Sequence, residues 1–254
     1  MKKIRVGAVS YLNTKPLLYG IEHSNDLPEL ELITDYPAKI AQQLIDNELD
    51  MGLVPVAVIP HLSRYFINSK FCIGAVGEVA TVCIFSEVPL EEVTEVILDY
   101  QSRTSVKLAR VLLKKYWKLN PVFTPATEDF QSKIKGTTAA VVIGDRAFEQ
   151  ATKSKFIYDL ADAWVAYTGL PFVFAAWISN KPLPESFLQR FDTANAVGFK
   201  HLNEIVANNN SPFYNLKTYY TENINYLLDD FKREGLDRFL AEIRELEAVA
   251  ITEE

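Results

Sequence analysis

Strand-like and helix-like patterns alternate along this chain as far as Ile178, and helical periodicity follows to its end. Alternation of that kind predicts an α/β fold with mainly parallel sheets, because each helix carries the chain back to begin the next strand in the same direction. The order opens with a strand at Ile4 to Val9, a helix near Pro16 to Glu22, a strand near Glu31 to Thr34 and a helix from Pro37 to Asn47. Ile40, Ala41, Leu44 and Ile45 share one face of that last helix. A short apolar strand, Asp50 to Pro55, ends in proline, and such strand ends point at the crevice where α/β proteins bind ligands. Phe71 to Phe85 is almost continuously apolar and reads as two strands meeting at Gly77.

A second α/β unit starts with a strand at Val96 to Asp99 and an amphipathic helix from Thr104 to Lys118. Val106, Ala109, Leu112, Leu113 and Tyr116 make its expected apolar face, with Lys107, Arg110, Lys114 and Lys115 turned to water. Strands near Pro121 to Thr124 and Ala139 to Ile143, a helix near Leu160 to Tyr167 and a strand at Phe172 to Ile178 follow. From there the pattern is wholly helical, over Pro184 to Ala207 and Asn223 to Ala248. In the last stretch Leu227, Leu228, Phe231, Phe239, Leu240 and Ile243 supply an apolar stripe. The aromatics Trp164, Tyr167, Phe172, Phe174 and Trp177 read as core and hinge packing.

Composition narrows the function classes. A formal charge of −7 argues against a nucleic-acid groove, which needs a basic face. No apolar stretch reaches the roughly 18 residues of a membrane span. The charged start Met1-Lys2-Lys3 leads into an apolar run too short for a secretory signal, so the expected location is cytoplasmic, with no membrane partner. His23, His61 and His201 are scattered and Cys72 and Cys83 lie apart in apolar runs, so no metal-ligand spacing appears and no metal is expected.

Four polar segments interrupt apolar strands where a cleft could form. In Ser10 to Lys15, which includes Tyr11, Ser10 can cap a helix, Asn13 can both donate and accept, and Lys15 can neutralise a carboxylate; simple capping is the competing reading. Asp99 to Ser105 joins a strand end to a helix start, and Ser102, Arg103, Thr104 and Ser105 there suit a carboxylate or phosphate. That segment lacks the glycines and lysine of a P-loop, so a nucleoside triphosphate is not expected. In Val141 to Arg146, Gly144 lets a ligand approach the backbone, and Asp145 can hold a hydroxyl or cap the next helix. In Gly77 to Val82, Thr81 places one hydroxyl in an apolar strand, where satisfying a backbone carbonyl is the plainer role. No nucleophile elbow, dinucleotide-binding loop or other cofactor motif is present, so no cofactor is expected.

Val6-Gly7-Ala8-Val9-Ser10-Tyr11-Leu12-Asn13-Thr14-Lys15-Pro16-Leu17 resembles the amino terminus of chorismate dehydratases of the futalosine route to menaquinone. Asp50 to Pro55, Ile73 to Pro89, Leu98 to Leu112, Val141 to Ala147 and Tyr158 to Ala175 resemble further blocks of that family, in the same order. The resemblance implies a lyase that removes water from chorismate, without cofactor, to give 3-[(1-carboxyvinyl)oxy]benzoate. It also implies a two-lobed, type 2 periplasmic-binding-protein-like fold with a helical C-terminal tail. The first lobe would be residues 1–86 plus 179–254 and the second 87–178, with the ligand cleft between them.

On that reading Asn13 and Thr81 are the expected catalytic residues. Ser10, Tyr11, Pro55, Ser102, Arg103, Thr104, Ser105, Gly144 and Asp145 are the expected substrate contacts. Candidates for the general base are Asp145, another weak protein group and a carboxylate of the substrate. A monomer or homodimer is expected. Two alternatives stay open: a cytoplasmic module that binds or senses a small anion, and the sister enzyme 1,4-dihydroxy-6-naphthoate synthase. The sister family carries a histidine where Gly144 stands and a cysteine in the first loop, and this chain has neither.

Overall fold

The computed structural model describes residues 3–252; the charged start at Met1 and Lys2 lies outside them. The chain opens with β1 (Ile4–Val9), α1 (Lys15–Glu22), β2 (Leu30–Asp35), α2 (Pro37–Ile45), β3 (Met51–Pro55) and β4 (Phe66–Ala75). It continues with β5 (Val82–Ser86), β6 (Glu95–Leu98), α3 (Thr104–Lys115), β7 (Val122–Pro125), β8 (Thr138–Ile143) and α4 (Asp145–Ala151). Next come β9 (Phe156–Asp159), α5 (Leu160–Thr168), β10 (Phe172–Ser179), α6 (Glu185–Val197) and α7 (Leu202–Asn208). The last elements are the single turn α8 (Leu216–Thr218), β11 (Asn225–Leu227) and α9 (Asp230–Thr252).

The first compact unit comprises residues 1–74 and 173–229. Its sheet has the order β11-β4-β10-β3-β1-β2, with β1 parallel to β2 and β3 and β10 antiparallel to β3. Met51, Leu53 and Val54 are wholly buried, as an apolar run must be when helices cover both faces of its strand. Ile40, Ala41 and Leu44 form the buried face of α2, as their spacing predicts. Close backbone approach fixes α1: a Cβ on Gly20 would lie 2.0 Å from the Ala194 carbonyl oxygen, and one on Gly198 1.8 Å from that of Pro16. The expectation that helix runs from Asn223 onward fails at β11, which hydrogen-bonds to β4 with Asn225 opposite Gly74. A three-residue strand finds its ladder partner only in three dimensions.

The second unit comprises residues 75–172 and 230–254, with sheet order β7-β6-β8-β5-β9. β6 runs parallel to β7 and β8, and β5 antiparallel to β8 and β9. Phe85, Phe130, Ala140 and Val142 anchor its core. These bounds differ from the expected lobes of 1–86 plus 179–254 and 87–178. β5 is an inner strand of the second sheet, and α9 packs on the second unit rather than returning to the first. The reason is visible in the side chains: Phe239 of α9 stands edge-on to Trp164 and Phe172, with ring centroids 5.8 and 4.8 Å away. Lys115 of α3 pairs with Glu242 and Glu245 of α9, and Lys107 with Glu247, so these two lysines serve helix pairing rather than simply facing water. Leu108 and Val111 belong to the buried face of α3, whereas Tyr116 is exposed. In the last helical stretch Leu236, Phe239, Leu240 and Ile243 are buried, while Leu227 and Phe231 face out. No helix among the described residues is long and apolar enough to cross a membrane.

Candidate functional site

One edge of the second sheet collects most of the expected residues. β6 and β8 end there, β5 begins there with Val82 opposite Ile143, and β9 ends there with Asp159 opposite Cys83. The loops leaving these strands therefore carry Thr81, Ser102 to Ser105, and Gly144-Asp145 to a common rim. Segments far apart in the chain meet because parallel and antiparallel pairings place their ends on the same side.

Hydrogen bonds fasten that rim. Asp99, 1% exposed, accepts from the amides of Gln101 (3.0 Å) and Ile143 (3.1 Å) and from Arg146 (2.6 Å), joining the β6 loop to the β8 loop. Ser102 Oγ accepts from the Ser105 amide at 3.0 Å, capping the twelve-residue α3, and Ser102, Thr104 and Ser105 are all buried. Arg103, half-buried, immediately precedes that helix. Gly144 takes φ 65° and ψ −154°, a backbone state open essentially to glycine, and its amide donates to the Thr81 carbonyl at 2.9 Å. Its N–H is thus already engaged by protein, whereas the sequence suggested an opening for a ligand. Asp145 is half-buried at the start of α4.

Thr81 is not inside a strand, as expected, but ends a tight loop before β5; it is 1% exposed, and its hydroxyl lies 3.4 Å from the Val79 carbonyl oxygen. Ala80 beside it has φ +64°, a left-handed conformation that costs an L-residue about 1–2 kcal/mol. The group that compensates is Asp159. Its Oδ2 accepts from the amides of Val79 (3.0 Å) and Ala80 (2.7 Å), while Oδ1 accepts from those of Ala161 (2.9 Å) and Asp162 (3.1 Å) at the start of α5. Part of the residue reaches the surface, but its carboxylate is enclosed. Burial, with a smaller push from Glu78, raises the carboxyl to about 6 against the pull of the helix and loop amides. The Cys83 thiol, 3.7 Å from Oδ2, is held well above its usual range by burial and by that carboxylate.

The first unit gathers the remaining candidates on one edge of its own sheet. The pairing of Val6 with Met51 and Gly7 with Gly52 sets the ends of β1 and β3 side by side, so Ser10 to Asn13 and Pro55 share that edge. Ser10 is exposed and its amide donates to the Asp35 carbonyl at 3.2 Å. The Tyr11 carbonyl accepts from the Thr14 hydroxyl at 2.7 Å, which winds the loop into a tight turn ahead of α1. Pro55 is buried and pairs with Ala175 of β10. The Asn13 carbonyl accepts from the Tyr226 hydroxyl at 2.9 Å, yet Asn13 Oδ1 is buried with no hydrogen-bond donor. Enclosed acceptors are nearly always satisfied, so this one is open to a donor from water or from a ligand.

Asp159 and Tyr226 are the residues that sequence reasoning did not single out. Asp159 carried a signal, since an aspartate opening a helical run is an N-cap pattern. Its grip on Val79 and Ala80, and the reach of Tyr226 from β11 to Asn13, had none. Among the described residues no group of three or more His, Cys, Asp or Glu side chains could hold a metal ion.

Comparison with known proteins shows the family and the fold. The sequence model of a family described as menaquinone biosynthesis matches residues 4–245. A chorismate dehydratase of Thermus thermophilus is 26% identical over 262 residues, covering 94% of each protein. Among solved structures, a protein of Archaeoglobus fulgidus aligns with a TM-score of 0.72 at 16% identity, covering 97% of this chain and 98% of its own. A Candida albicans protein reported to have the generic periplasmic binding protein fold aligns with a TM-score of 0.61 at 12% identity, over 96% of this chain and 90% of its own. At such identities the likeness is one of fold, and the fold is the periplasmic-binding-protein-like α/β fold expected from the sequence.

Proposed function

The chain belongs to the menaquinone biosynthesis family, and on that premise we propose that it is a hydro-lyase that removes water from chorismate. The whole-length similarity to a chorismate dehydratase supports the substrate. The observation that carries the reading is the enclosed, unpartnered Asn13 Oδ1. A carboxylate only accepts and cannot fill it, whereas an alcohol O–H donates to it, and chorismate presents one hydroxyl on its ring beside two carboxylates.

The reaction demands little of the protein. A base takes the proton from C3, that C–H pair becomes the new ring double bond, and the C4–O bond breaks as the hydroxyl leaves with a proton as water. The product ring is aromatic, so the equilibrium lies far toward dehydration. The protein must orient the ring and stabilise charge that spreads from C3 toward the ring carboxylate. The start of α3, with Arg103, Thr104 and Ser105, suits one carboxylate. Ser10, Tyr11 and Asn13 on the first unit, and Thr81 on the second, are proposed as further substrate contacts. Pro55, Gly144 and Asp145 shape the two edges on which these groups stand.

Incubating the metal-free protein with chorismate and separating the products by liquid chromatography with mass detection tests the reading. An aromatic acid lighter than chorismate by one water is the expected product. Chorismate recovered intact while raising the melting temperature would leave a binding module in place of an enzyme. Neither effect would remove chorismate altogether.

A further inference from the structure

We propose that Asp159 is a positioning residue, whose carboxylate holds the Val79–Ala80 turn and through it sets the place of the Thr81 hydroxyl. The proposal rests on the reading of Thr81 as a site residue. Asp159 stands where β9 passes into α5, and its two oxygens divide the work: Oδ1 caps the helix, and Oδ2 takes both loop amides. Only the ionised carboxylate accepts all four N–H groups at once; a proton on either oxygen sets an O–H against an amide donor.

The held turn is strained. Of the other non-glycine residues at positive φ among the described residues, Asn47 and Asp129 are of types that tolerate it and Lys118 is not; Ala80, like Lys118, has no side chain able to compensate. Thr81 follows directly, and its carbonyl is fixed from the other side by the Gly144 amide. Its hydroxyl thus depends on two backbone anchors, one of them Asp159. Glu78 on the loop, Cys83 on β5 and Asp162 on α5 are the titratable groups around the carboxylate, and among the described residues no cation pairs with it. With its carboxyl raised to about 6 by burial, the anchor is ionised at neutral pH and released by mild acid.

Amide hydrogen exchange at Val79 and Ala80, corrected for intrinsic rates, tests the anchor without reference to any substrate. Wild-type protection is expected to fall about tenfold or more between about pH 7.5 and about pH 5, and Asp159→Asn to be weakly protected throughout. In turnover of chorismate, Asp159→Asn is expected to lose about ten- to a hundredfold in kcat with little change in KM. Adding Ala80→Gly should return part of that loss, because glycine adopts the positive φ without help. A purely structural aspartate predicts no such rescue. Equal protection of the two amides in wild type and Asp159→Asn, or a double variant no more active than the single one, overturns the proposal. Should Asp159→Asn fail to fold, wild-type protection that stays constant across the pH range overturns it equally. A wild-type protein inert toward chorismate would sink the proposed reaction instead, while the exchange data still decide whether Asp159 holds the turn.

Discussion

Two loops carry the expected catalytic residues, and the protein secures them by different chemistry. In the first unit the loop bearing Asn13 is tied by a phenol: Tyr226, 6% exposed and held protonated by burial, gives one neutral hydrogen bond to the Asn13 carbonyl. In the second unit the loop bearing Thr81 is tied by a carboxylate that titrates near neutrality. The difference follows from what each backbone needs. Around Asn13 the turn closes on itself through Thr14, whose hydroxyl reaches the Val9 and Tyr11 carbonyls, so one further bond suffices. Around Thr81 an alanine must be kept left-handed, and that requires an acceptor strong enough for two amides. A neutral tie is insensitive to pH, and a charged one is stronger but can be switched off.

Breaking the first loop should have the largest effect. Asn13→Ala removes the enclosed amide while leaving the carbonyl on Tyr226, so turnover is expected to fall about a hundredfold with the fold intact, as read by product chromatography and thermal melting. Near-normal turnover would strip the first loop of its chemical role. Arg103→Ala comes next: losing a guanidinium that can grip a carboxylate should raise KM about tenfold and spare kcat. Steady-state kinetics showing the reverse would move Arg103 from binding into the reaction.

The pH contrast sharpens the comparison. Asp159 binds its proton more tightly folded than unfolded, so its contribution to stability is fully present below the usual carboxylate pKa near 4 and is lost as pH rises through about 6. Between about pH 4 and pH 7 the wild type should therefore lose about 2 kcal/mol relative to Asp159→Asn, read from denaturant curves at each pH. Parallel pH profiles for the two proteins would refute the assignment of that proton to Asp159. Keeping the ionised form at neutral pH is thus a cost in stability set against a fixed loop. Tyr226→Phe is the mildest change: one hydrogen bond is lost, about 1 kcal/mol, and turnover should fall a fewfold with no altered pH dependence. A pH-dependent loss in that variant would mean that the two ties are not chemically distinct.

Local periodicity was enough for most of the elements. The mostly apolar run of β1, the unbroken apolar run of β3 and the spaced Ile40, Ala41 and Leu44 of α2 each report their own burial, because a side chain's face is set by the geometry of its element. The candidate segments were legible for the same reason: strand ends followed by capping residues mark the rim of an α/β sheet. The brief β11 and the outward turn of Leu227 and Phe231 were not legible, since both depend on a partner supplied from elsewhere in the chain.

By itself, then, the sequence determined the α/β class, the family resemblance and the segments from which a site is built, all of which are written in neighbouring residues. Tertiary structure alone decided that α9 belongs to the second unit, that Asp99 and Asp159 bind separate loops into one rim, and that Asn13 keeps an acceptor without a donor. Those are outcomes of long-range packing and desolvation, which depend on what each group meets across the fold and leave no mark in its neighbours along the chain.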